Sequence, residues 1–220
     1  MGKQVGSHGV PQSSSTGENI DLEPLHPTVV PPGYPREYER RLMLRDGRSV
    51  WVRPIIPADA PHLADAIMSA NADTLRGRFL GGAPRVTPAL LTHWTALDYV
   101  RRFALGAADP VTSRGIAVAR YEPLDEGVAE IAVVVDPAWR RLVLATALIE
   151  LLAEAALERG IHAFAATYLA ENRPVAALLD LAGAAGRQRI RQGIAEVMVE
   201  LDRERIGDAV RGLEDGRDGA

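Results

Sequence analysis

An apolar run ends at Asp136, and the chain then reads Asp136-Pro137-Ala138-Trp139-Arg140-Arg141-Leu142-Val143-Leu144-Ala145-Thr146 before a helical repeat sets in. A strand that turns directly into a helix start can cradle an anion. The first N–H groups of a helix lack intrahelical acceptors, and its aligned peptide dipoles leave positive potential there. A diphosphate is the ligand such a turn suits. Arg140 and Arg141 add guanidinium groups, which make charge-assisted, two-pronged bonds to phosphate. Leu142 and Leu144 are expected to offer their main chain to the ligand and their side chains to the sheet. Val143 stands where close backbone approach favours glycine. Its N–H still donates, but a positive φ at this residue costs roughly 1–3 kcal/mol, equivalent to about tenfold to a hundredfold in affinity.

Little else in the chain competes with this turn for chemistry. The absence of cysteine excludes disulfides, thiolate metal sites and a cysteine nucleophile. His8, His26, His62, His93 and His162 show no metal-ligand spacing, so no metal site is expected. The glycine pairs at Gly81-Gly82 and around Gly183 and Gly186 read as loops. A net charge of -4 with interspersed signs argues against a nucleic-acid footprint. Neither a secretory leader nor a membrane-length apolar run is read in the sequence, which places the chain in the cytoplasm and off the membrane.

The elements that must position the turn are legible from hydrophobic period and punctuation. Residues 1–36, rich in Gly, Ser and Pro, are expected to be a disordered or loosely docked arm. A domain is expected over 37–203, followed by a polar tail over 204–220. Its first hairpin turns at Arg45-Asp46-Gly47-Arg48. A helix then starts with Asp59 as N-cap and Pro61 in its first turn, presenting Leu63, Ile67 and Met68 on one face. Two short helices over 73–79 and 87–94 follow, then three strands over 102–107, 116–121 and 130–135 in an antiparallel meander. After the cradle, Leu144, Leu148, Leu151, Leu152 and Ala155 repeat at helical spacing up to a Gly160 stop. A crossover leads to a parallel strand over 161–168, a helix from Asn172 to Gly183, and an alternating last strand over 194–201.

This order, with Arg140-Arg141-Leu142-Val143-Leu144-Ala145 in place of a Gln/Arg-x-x-Gly-x-Gly/Ala segment, resembles the GNAT superfamily of N-acetyltransferases. The run-in at Asp136, Glu171-Asn172-Arg173-Pro174 and Leu181-Ala182-Gly183 are similar to other pieces of that family. Thr74-Leu75-Arg76-Gly77-Arg78-Phe79 and the stretch from Leu97 to Leu105 resemble the bacterial protein lysine acetyltransferases. The resemblance implies an α+β fold with a GNAT-type mixed, mostly antiparallel central sheet flanked by helices. It implies acetyl-CoA as cosubstrate, bound by the turn from Arg140 through Ala145 and Thr146, by the N–H groups of Val134 and Val135, and by Asn172. It implies an amine acceptor, a protein lysine among the candidates, and Glu130 as the base acting through water. The tyrosine acid frequent in the family has no match between Val175 and Leu181. Two alternatives share the fold: a binding or regulatory module that has lost catalysis, and a transferase for another acyl-CoA. The open edge of the last strand allows a homodimer.

Overall fold

The computed structural model describes residues 25–140, 143–180 and 188–214. Eight strands form one sheet in the order β1-β2-β3-β4-β5-β6-β8-β7. They are β1 (Arg40–Met43), β2 (Ser49–Pro54), β3 (Phe103–Ala108), β4 (Gly115–Asp125), β5 (Val128–Val135), β6 (Ala163–Leu169), β7 (Arg189–Arg191) and β8 (Ile194–Glu200). Every neighbouring pair is antiparallel except β5 and β6, which the crossover helix makes parallel. The helices are α1 (Ala60–Ser69), α2 (Ala72–Phe79), α3 (Pro88–Thr95), α4 (Leu144–Glu158), α5 (Arg173–Leu179) and α6 (Arg203–Glu214).

Strand alternation divides the sheet into two unlike faces. On one face Val50, Val52, Phe103, Leu105, Ala119 and Tyr121 are buried with Leu148, Leu151 and Leu152 of α4 in the main core. The other face carries Arg53, Gly106, Val118, Arg120, Ala132 and Val134, which line a cleft together with residues of α1, α2 and α3. The buried face is nearly all apolar, so polar residues on the cleft face are the ones free to do chemistry.

Residues near both ends of the described chain pack against the sheet and its helices. Residues 204–214, expected as part of a polar tail, belong to α6, whose Ile206 and Val210 are 1% and 4% exposed in the main core. One apolar side chain every four residues is enough to dock a helix that is charged elsewhere. Residues 25–36, assigned to the arm, also pack: Leu25 is buried, and the Tyr34 ring meets Tyr99 edge-on at 5.7 Å. Residues 1–24 lie outside the described residues. The edge of β8 expected to be open is paired with β7 through a turn at Gln192 and Gly193, both at positive φ.

Two details of α1 also differ. Met68 is exposed, and Asp59 does not cap the helix through its side chain. Its carboxylate accepts instead from both terminal nitrogens of Arg53, at 2.8 and 2.6 Å, and from the Ile56 N–H at 2.8 Å. A paired guanidinium satisfies the carboxylate more fully than one helical N–H can.

The turn before β3 depends on Asp98, whose Oδ1 accepts from the N–H groups of Val100, Arg101 and Arg102 at 2.7–2.9 Å. Burial opposes its ionisation, but those N–H groups and the Arg102 charge hold its pKa below the ordinary carboxylate value. Asp98→Ala should therefore cost about 1 kcal/mol. Because the folded pKa is the lower one, Asp98's contribution is complete above its unfolded pKa and is lost as pH falls through the folded value. Urea melts of the wild type and variant should converge in strongly acidic buffer.

Candidate active site

The parallel pairing of β5 and β6 is short, running only from Val128 with Ala163 to Glu130 with Ala165. Beyond Glu130 the strands splay, while β5 stays paired with β4 as far as Val135. The Asp136 N–H donates to Ile116 O on β4 at 2.8 Å. Main-chain groups alternate sides along a strand, so those of Val134 also face β4, and those of Ile131, Val133 and Val135 face the splay. The N–H groups of Val133 and Val135 thus face the splay, whereas that of Val134 faces β4. The Val134 side chain lines the cleft.

At the end of the splay a single 3-10 turn (Pro137–Trp139), capped by Asp136 Oδ1 on the Ala138 N–H at 2.9 Å, leads toward α4. Val143 caps that helix with φ 69° and ψ -5°, in the left-handed region, so the backbone keeps the conformation glycine would supply. The Ala147 N–H donates to Val143 O at 3.0 Å, an i→i−4 bond at the cap. The N–H groups of Leu144, Ala145 and Thr146 precede it, at the positive end of a 15-residue helix. The Leu144 side chain is 1% exposed and packs in the core, leaving its main chain to the turn. Arg141 and Leu142 lie outside the described residues.

Arg140 turns back into the splay. Its Nε donates to Val135 O at 3.1 Å and its NH2 to the Thr74 hydroxyl at 2.9 Å, tying the turn to α2. On the far side of the splay Arg76 of α2 pairs with Glu171 at 2.9 Å. Asn172 caps α5, its Oδ1 accepting from the Val175 N–H at 3.4 Å. Tyr168 is buried in the smaller core and donates to Gln188 Oε1 at 2.8 Å, so it is a packing residue.

Glu130 is exposed and stands at the origin of the splay, directly opposite Glu122 on β4. Its side chain follows Ala132 and Val134 on the cleft face, one step beyond the cleft lining. The cleft, of about 560 Å³, contains cationic groups that the sequence reading did not single out. Arg53 is held by Asp59; burial opposes its charge, and the Asp59 hydrogen bonds and charge more than offset that, raising its pKa. Arg120 is 6% exposed and donates to Glu122 Oε1 at 2.6 Å. Burial pulls the Arg120 guanidinium down to about 10; Glu122 opposes the fall, and the like charges of Arg78 and Arg102 add to it. An arginine inside the otherwise apolar run Ile116-Ala117-Val118-Ala119-Arg120-Tyr121 was the available signal. Among the described residues no cluster of three or more His, Asp or Glu could hold a metal ion. No described helix is long and apolar enough to cross a membrane.

Residues 75–183 match the Acetyltransferase (GNAT) family. An acetyltransferase of Pseudomonas aeruginosa is 30% identical over 146 residues, covering 65% of this chain and 77% of that protein. The chain belongs to the GNAT acetyltransferase family. The GNAT domain of S. lividans PAT superposes on this family member with a TM-score of 0.69 at 30% identity, covering 76% of the chain and 99% of that domain. The acetyltransferase Pat of Mycolicibacterium smegmatis is 26% identical over 163 residues, which is 73% of the chain. The chain spans about half of that relative's length, 48%. The resemblance to the bacterial Pat acetyltransferases and the mixed, mostly antiparallel sheet both stand.

For this GNAT protein Val143 is open to a direct test. A β-branched residue in the left-handed region stores roughly 1–3 kcal/mol, and glycine would return about 0.5–1 kcal/mol through its freer unfolded chain. Val143→Gly is therefore expected to stabilise the fold by about 1 kcal/mol, read as a higher urea midpoint at unchanged slope.

Proposed function

We propose that this chain transfers the acetyl group of acetyl-CoA to a primary amine, with a protein lysine side chain as an acceptor. The observation that carries this reading is the continuity of the splay. Glu130 stands where β5 and β6 part, the N–H groups of Val133 and Val135 face the gap, and a left-handed Val143 opens α4 at its far end. These groups fit an extended thioester with an anionic end: the helix start takes diphosphate, and the strand N–H groups take the amide and carbonyl oxygens of the arm. Acetyl-CoA supplies the activated acyl carbon.

Glu130 accepts the proton that the amine must lose, through water, and its exposure lets it pass that proton to solvent. Asn172 holds the start of α5 beside the gap. With no tyrosine on α5, the departing thiolate takes its proton from solvent. Two features favour a second reading, a GNAT-fold binding module: Val143 puts a branched side chain at the cradle, and Arg140 is already bonded to Val135 and Thr74. Another acyl-CoA in place of acetyl-CoA is the third candidate.

Calorimetric titration with acetyl-CoA separates them. Heat from the wild type, followed by thiol release in the presence of an amine, supports the transferase. Binding only by Val143→Gly identifies a disused site, and no binding by either protein removes acetyl-CoA from the reading. Tighter binding of a longer acyl-CoA selects the third candidate.

A further inference from the structure

The cleft contains two guanidinium groups whose bonding needs the described residues do not meet. Arg120 is buried, and its Nε has no hydrogen-bond partner. Arg78, on α2, makes no hydrogen bond or ion pair among the described residues, and its guanidinium lies 5.0 Å from the centre of the Phe79 ring. Phe79 stacks on Trp94 at 6.1 Å, and Arg120 lies 5.8 Å from the Trp94 ring, so the two cations share one aromatic wall.

No carboxylate among the described residues bonds Arg78; Asp65, which also lines the cleft, is exposed and bonds neither cation. Glu122 gives one oxygen to Arg120 and the other to His93, Asp59 is filled by Arg53 and Ile56, and Asp136 is filled by Arg114 and Ala138. Glu130 stands at the origin of the splay with its side chain on the cleft face, and the transfer reading needs it for the amine proton. Burial pulls Arg78 below its ordinary pKa; the charges of Glu130 and Glu122 oppose this without bonding it. A desolvated cation left in this state is costly unless an anion arrives.

We propose that the cleft takes an acceptor bearing a carboxylate beside its amine, the carboxylate seated against Arg78 and Arg120 and the amine directed at Glu130. The proposal rests on the acetyl-transfer reading for the role of the amine. The planar fork of guanidinium matches a carboxylate, and the aromatic wall keeps water from competing. A volume of about 560 Å³ suits a side chain with its immediate neighbours. Two sources present this chemistry: a free amino acid, and a protein lysine flanked by an acidic residue.

Calorimetry on the full chain without acetyl-CoA tests the subsite apart from catalysis. One pair of ligands is free lysine and lysinamide; the other is a lysine peptide with a neighbouring glutamate and the same peptide with glutamine there. The carboxylate should strengthen binding by about tenfold to a hundredfold in one pair, the value of a charge-assisted bond to a buried partner. Preference in the first pair identifies a free amino acid, and preference in the second a protein lysine. Arg78→Gln should bring the ratio close to one, and Arg78→Lys should keep part of it. Equal binding within both pairs overturns the proposal, as does a preference that survives Arg78→Gln intact. Loss of acetyl-CoA binding with the carboxylate preference retained would remove the transfer reading and leave the subsite standing.

Discussion

Glu130→Gln is expected to lower kcat/KM for amine acetylation by about 10²- to 10⁴-fold, the usual contribution of a positioned general base. Glutamine keeps the size and loses the proton acceptor. Because Glu130 is exposed on β5 and makes no hydrogen bond or ion pair among the described residues, the change in stability should stay within about 0.5 kcal/mol. Acetyl-CoA affinity should be nearly unchanged, since the proposed cradle lies at the other end of the splay. The pH profile supplies a second readout. A lysine amine has a pKa of about 10.4, so without its base the variant should gain close to tenfold in rate per pH unit until the amine deprotonates itself. A thiol-release assay that finds kcat/KM unaltered would remove Glu130 from the chemistry.

The other large effect belongs to the floor of the cleft. Asp59→Ala should destabilise the fold by about 3–5 kcal/mol, because it removes the carboxylate that pairs with the buried Arg53 guanidinium. The two side chains are only 9% and 10% exposed, and Asp59 also holds the Ile56 N–H at the entry to α1. For a chain of this size each kcal/mol moves Tm by roughly 2–4 °C, so a fall of roughly 6–20 °C is expected in a thermal melt. Asp59→Asn should cost less, since an amide oxygen can still accept from Arg53. The double variant Arg53→Met with Asp59→Leu should recover much of the loss, as apolar replacements of buried ion pairs commonly do. A loss below 1 kcal/mol in Asp59→Ala would show that Arg53 finds water in the cleft.

Elements with a strong period were legible: the Leu repeat of α4, the alternation of β8, and the three-strand meander all face one continuous core, so local pattern and tertiary burial agree. The turn from β5 toward α4 was legible because the strand end and the helix start are close in the chain. The glycine-like conformation at Val143 was not, since nothing local requires a valine to adopt positive φ.

Partners distant in sequence were out of reach. Arg140 can be read as a phosphate ligand from its neighbours, but its bond to Thr74, 66 residues away, exists only because α2 crosses the splay. Asp59 reads as a helix cap until Arg53 on β2 is brought beside it. Residues 204–214 read as a tail because they are polar on average; α4 gives Ile206 and Val210 a surface to cover. The sequence by itself determined the family and the order of strands and helices around the turn from β5 into α4. Only the tertiary structure decided which strand amides face the gap and that Arg78 and Arg120 share one wall. Strand parity and packing between helix and sheet are properties of the assembled layers, whereas periodicity and turn chemistry are properties of the chain.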